Sequence, residues 1–117
     1  MIYESENIEY KSEYSDEMYK EVMAFANSSG GMIYVGVDDA GNRIGLSDVD
    51  SIYSKITNSI RDALVPDITM FVKYTLDCNV IVIEVSEGTN KPYYIKSKGL
   101  KPSGVYIRQG ASSVPAS

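Results

Sequence analysis

A chain of 117 residues with 44% hydrophobic composition supports one domain with its own core, and a single cysteine, Cys78, excludes an internal disulfide framework. The absence of histidine removes the usual general base, zinc ligand and serine–histidine triad, so any metal here would be a hard cation such as magnesium or manganese held by carboxylates. The net charge of −5 is uneven: all 16 acids lie within residues 1–87 beside six bases, while residues 88–117 hold the other five bases and no acid, which fits either an anion-binding face or a lysine-rich edge kept in solvent.

In chain order, Ile8-Glu9-Tyr10-Lys11 alternates, so Ile8 and Tyr10 share one strand face and Glu9 and Lys11 the other. Ser15 predicts a helix N-cap, followed by Asp16 and Glu17 near the positive helix end. Tyr19, Val22, Met23 and Ala26 then recur at helical spacing, and Asn27 to Gly31 closes the helix at glycine. Residues 32–37 are apolar on both faces and read as a central strand, with a turn at 38–42 and a short return at 43–45. Ser47 and Asp48 predict the cap of a second helix, whose stripe is Ile52, Ile56, Ile60 and Leu64 and which Pro66 stops.

Ile68, Met70, Val72, Tyr74 and Leu76 alternate as a half-buried strand. Asp77-Cys78-Asn79 turns the chain, and residues 80–85 return as the second arm of a hairpin. A short strand is expected at 93–95, a glycine- and lysine-rich loop at 96–104, and a last strand at 105–108. The expected class is α+β, a single domain with a mixed or antiparallel sheet of about five or six strands and two main helices packed on it. No apolar run reaches the roughly 20 residues of a membrane-spanning helix, and one cysteine fits a reducing cytoplasm.

Two groups of residues carry chemistry. Lys91, Lys96, Lys98, Lys101 and Arg108 interleave with Tyr93, Tyr94 and Tyr106. Lysines attract phosphates and tyrosines stack on unpaired bases, while Arg108 and Ser112 offer a guanidinium and a hydroxyl to a phosphate. The simpler account is that these are ordinary strand and loop residues. Asp38 and Asp39 sit where a strand gives way to a loop, a common place for chemistry and equally a common place for turn formers. Gly30-Gly31 precedes a strand rather than following one, and no Gly-x-x-x-x-Gly-Lys-Ser/Thr is present, which argues against a nucleotide loop. Ten tyrosines also fit an interaction surface, such as that of a homodimer.

Residues 4–11 (ESENIEYK), 24–31 (AFANSSGG), 36–39 (GVDD), 92–94 (PYY) and 106–112 (YIRQGAS) occur together and in order. This series resembles the Schlafen AlbA-like domain family, also labelled divergent AAA. The resemblance spans nearly the whole chain. It implies a nucleic-acid-binding module, with DNA the expected ligand, opening a longer cytoplasmic bacterial protein of the transcriptional-regulator type. For the Schlafen-type RNA endonucleases, the resemblance implies one divalent ion, magnesium or manganese, held by Glu4, Glu9 and Asp39. Lys11, on the strand face of Glu9, would then stabilise the charge of the transition state. Glu4 and Glu9 are five apart and would point to opposite faces of a straight strand, so a turn must bring them together.

Overall fold

The computed structural model describes residues 3–116. The chain is α+β. Its strands are β1 (Ile8–Lys11), β2 (Gly31–Val35), β3 (Leu64–Val65), β4 (Val72–Asp77), β5 (Val80–Val85), β6 (Tyr94–Ile95), β7 (Tyr106–Gln109) and β8 (Ser112–Pro115). Its helices are α1 (Tyr19–Ala26) and α2 (Val49–Ala63). Four strands form one mixed sheet in the order β1-β2-β5-β4, and the other four form the ribbons β3–β6 and β7–β8. β1 and β2 run parallel around the α1 crossover, whereas β5 is antiparallel to both of its neighbours.

Alternation along the strands assigns the two sheet faces. Ile33 of β2 pairs with Ile83 of β5, and both side chains are wholly buried under the helices. On α1, Val22, Met23, Phe25 and Ala26 are buried; on α2, Ile56 and Ile60 are, and Leu64 just beyond it is too. The expected α2 stripe is therefore the one that packs, with Ile52 half-buried at its outer end. Tyr10, Val37 and Val80 form a smaller cluster on the opposite face, where the Tyr10 and Tyr34 rings lie 5.9 Å apart. The β7–β8 ribbon packs on α1.

Helix starts differ from expectation in a consistent way. Ser15 Oγ accepts the Glu17 N–H at 3.1 Å, but residues 16–18 form turns and α1 begins only at Tyr19. Asp48 stands at the N-cap of α2 in the left-handed conformation, with φ 56°, and neither helix has a side-chain cap hydrogen bond. Helical packing of apolar faces supplies what the caps do not. Asn27, just after α1, does connecting work of another kind. Its Nδ2 donates to Tyr93 O and Tyr106 O, both at 2.9 Å, and its Oδ1 accepts the Tyr93 N–H at 2.6 Å. One amide thereby ties the end of α1 to β7 and to the chain entering β6.

The expected strand from Ile68 breaks at its start. Asp67 Oδ1 accepts both the Thr69 N–H at 3.0 Å and the Thr69 hydroxyl at 2.8 Å, and residues 69–71 close into a 3₁₀ turn. Local side-chain hydrogen bonding competes with extended backbone in this way. Ile68 stays buried, but Met70 turns out to 88% exposure instead of following it inward.

Two glycines with nearly equal φ separate backbone strain from crowding. Gly30 (φ 81°) would place a Cβ 2.6 Å from Val85 O, whereas Gly99 (φ 79°) faces open space. Gly99→Ala should cost about 1–2 kcal/mol, the left-handed penalty alone. Gly30→Ala should cost clearly more, as read from urea denaturation midpoints. Equal losses would show that β5 yields to the added methyl.

Candidate nucleic-acid interface and the carboxylate cluster

A tight turn brings Glu4 and Glu9 together. Ser5 and Ile8 exchange backbone hydrogen bonds of 3.0 and 3.4 Å, which folds residues 4–7 back along the free edge of β1. Glu4 Oε2 then accepts the outward N–H of Tyr10 at 3.0 Å, and its carboxylate also hydrogen-bonds that of Glu9. Glu9 is 8% exposed, the one acid so buried among the described residues. Lys11, on the same face, has its Nζ 3.7 Å from Glu9 Oε2 and 3.7 Å from Glu21 Oε2 of α1.

Arg108 occupies the centre of this cluster. Its side chain is 1% exposed. Nη1 donates to Glu9 Oε1 at 2.8 Å and to Ser113 Oγ at 3.1 Å. Nη2 donates to Ser5 O at 2.7 Å and Ile8 O at 3.1 Å, and the guanidinium carbon lies 4.6 Å from the centre of the Phe25 ring. With both terminal nitrogens aimed at the β1 edge, Nε is left buried without a partner. Arg108 was expected on a phosphate-binding surface. Its planar fork is instead consumed inside the protein, joining the N-terminal turn, β1, α1 and the β7–β8 ribbon.

The same cluster decides the metal question on geometry. Glu9 Oε1 is engaged by Arg108 and Glu4 Oε2 by a backbone donor. Asp39 is exposed at the far end of β2, in the turn that Asp38 organises by accepting the Ala40 and Asn42 N–H groups at 3.0 and 2.8 Å. Those donors, led by the Asn42 N–H, hold the Asp38 carboxyl below its ordinary range. Among the described residues no three acidic, cysteine or histidine side chains are gathered as a metal site. As arranged, Glu4, Glu9 and Asp39 do not fit one magnesium or manganese ion, and Lys11 faces carboxylates rather than an open site.

The basic segment divides sharply. Tyr93 is wholly buried, its ring 6.2 Å from that of Phe71 and its hydroxyl accepting the Asn90 N–H at 3.1 Å. Gly88 leaves the space that this ring fills. Tyr93 therefore cannot stack on a base, and its expected place on the binding face is corrected to the core. Lys91 is ion-paired with Glu87. Lys96, Lys98 and Lys101 are exposed and make no ion pair among the described residues. Tyr94 is half-buried in β6, and Ser112 is exposed at the start of β8.

Lys96 borders an open depression of about 420 Å³ lined by Tyr19, Asp62, Ala63, Ile95 and Ser97. The sequence did not mark Lys20 for this region. It pairs with Glu17 and lies 5.2 Å from the centre of the Tyr106 ring. The Glu17 carboxyl is held below its ordinary range first by its bond to Lys20, and the charge of Lys98 adds to the effect. Position i+1 after Tyr19 was the available signal for Lys20, on the solvent side of α1.

Comparison with known proteins agrees with this architecture. The family model described as Schlafen, AlbA_2 matches residues 4–117. The chain belongs to that family. A solved structure similar to it is the solution structure of the N-terminal domain of a protein from Nitrosomonas europaea whose name describes it as ATP-dependent DNA helicase RecG-related. The two are 27% identical with a TM-score of 0.59, and the match covers 91% of this chain and 78% of that one. A comparison with curated proteins gives no significant match. No helix among the described residues of this AlbA_2 domain is long and apolar enough to cross a membrane.

Burial, and then the hydrogen bond with Glu4, push the Glu9 carboxyl up to about 7, while Arg108 pulls it down. The folded state then keeps a proton that the unfolded chain releases near pH 4.5. Raising the pH from about 5 should lower stability, by at most about 1.4 kcal/mol per unit, with the slope halved near 7 and gone about one unit above it. No histidine titrates in that window. Denaturation midpoints against pH should show this slope in the wild type and a flatter one in Glu9→Gln. Arg108→Ala should cost roughly 3–5 kcal/mol, and Arg108→Lys should recover little of it, because an ammonium cannot span four acceptors.

Proposed function

We propose that this AlbA_2 domain binds nucleic acid, with DNA the favoured ligand, through the loop that carries Lys96, Lys98 and Lys101. The observation that carries the reading is the contrast within the basic segment. Among the described residues, Lys91 and Arg108 are ion-paired with acids, while these three lysines stand exposed with no carboxylate at ion-pair distance, Lys98 meeting Glu17 only at longer range. Tyr94, half-buried, and Ser112, exposed, would offer a stacking or hydroxyl contact. The rest of the surface is acidic in composition and repels a phosphate backbone, which confines contact to one face. The resemblance to a domain of a RecG-related protein supports the same ligand class. The binding would serve a longer regulator-type protein in the cytoplasm.

Such a contact rests on counterion release, so affinity should fall steeply with salt. Lys96→Glu combined with Lys98→Glu should weaken binding of a labelled oligonucleotide by tenfold or more at low salt, and lower the log–log salt slope by about 2. Lys91→Ala should change either quantity little. Fluorescence anisotropy across a salt series measures both. Unchanged affinity and slope in the double variant would reject the lysine loop as the binding surface.

A further inference from the structure

β4 ends the four-stranded sheet, and among the described residues no strand covers its outer side. Natural sheets blunt such edges with short strands, proline, bulges or a covering loop. β4 runs six residues in unbroken register with β5 without proline or bulge; charged side chains also guard edges, and the two that β4 carries, Lys73 and Asp77, are of opposite sign. The direction of its backbone groups follows from the register. Ser86 N–H donates to Phe71 O at 2.8 Å, and Asp77 pairs with Val80 across the two-residue turn. Residues 71, 73, 75 and 77 therefore turn their N–H and C=O groups toward β5, and Val72, Tyr74 and Leu76 turn theirs outward. The Val72 N–H is taken by Thr69 O. Among the described residues, the outward groups of Tyr74 and Leu76 have no backbone partner. Leu76 is also 43% exposed, one of few large apolar side chains so placed.

We propose that β4 pairs antiparallel with β4 of a second copy of this chain, about a two-fold axis at Thr75. This register sets Tyr74 opposite Leu76 of the partner subunit, so the four unpaired groups on each strand meet in four hydrogen bonds. It also sets Lys73 opposite the partner's Asp77 on the exposed sheet face. Within the chain, Lys73 already neighbours Glu84 across β5, and Asp77 Oδ2 is 2.7 Å from Arg43. The dimer thus aligns Glu84, Lys73, the partner's Asp77 and the partner's Arg43 in alternating sign, twice over. Moving the axis to Tyr74 or Leu76 leaves Lys73 and Asp77 unpaired, so charge selects the register. The two sheets join into one of eight strands.

Sedimentation equilibrium without nucleic acid tests the pairing independently of the binding reading. The wild-type chain should show a concentration-dependent dimer. Lys73→Asp alone, or Asp77→Lys alone, sets like charges opposite and should weaken it by about tenfold or more. An equal mixture of the two variants restores both opposite-charge pairs and should dimerise again. Both positions are exposed, so circular dichroism should show each variant folded. Thr75→Cys in a Cys78→Ser background should crosslink on mild oxidation, because a non-hydrogen-bonded pair brings its Cα atoms to about 4.5 Å. A wild-type monomer up to millimolar concentration, unchanged association in both charge variants, or a mixture that stays monomeric would each overturn the proposal.

Discussion

One buried guanidinium holds the two ends of this domain together. Arg108 lies inside with its charge answered by Glu9 and its remaining terminal donors on Ser5 O, Ile8 O and Ser113 Oγ. A buried cation is tolerable only when its donors are met and its charge is offset. That requirement fixes the other parts. The N-terminal turn must present its carbonyls, β1 must turn Glu9 inward, and the β7–β8 ribbon must lie on α1 where Phe25 offers its ring face. Glu4 shares its hydrogen-bonding capacity with Glu9 and caps the last open donor of the β1 edge.

This constraint also divides the polar surface by role. Charged residues near the ends of the chain are used internally, and those on the 96–104 loop are left to solvent. Two of the three acids that the resemblance associates with RNA cleavage, Glu9 and Glu4, are here spent on an arginine and on the strand edge. The lysines that composition alone would have grouped with Arg108 are separated from it by burial. A family fold can thus keep a motif while giving its side chains a structural task, and function follows from the site rather than from the fold.

The parts legible in the sequence were those governed by local period. The α2 stripe, the hairpin of β4 and β5, and the opposed faces of β1 all follow from spacing of 3.6 or 2. The α+β class followed from their order, although the strands divide into one sheet and two ribbons. β8 was not legible, because Ser112 to Pro115 is polar and carries a proline that only an edge strand accepts. Met70 was misplaced because a single carboxylate, Asp67, outcompetes strand backbone. Arg108 and Tyr93 were misplaced for a different reason. Alternation assigns each to a strand face, but which face meets α1 depends on contacts 66 to 103 residues away, beyond any local window.

Those long separations bear on how the chain reaches its fold. The fork that closes the β1 edge belongs to a residue that emerges about a hundred positions after β1 itself. Until Arg108 emerges, Glu9 lacks the guanidinium that offsets its charge in the folded domain. Contacts this remote in sequence form late, since loop closure must precede them. The helices and the β4–β5 hairpin can assemble around the apolar core first. Docking of Arg108 then acts as the final latch, committing the N-terminal turn only once almost the entire domain has emerged.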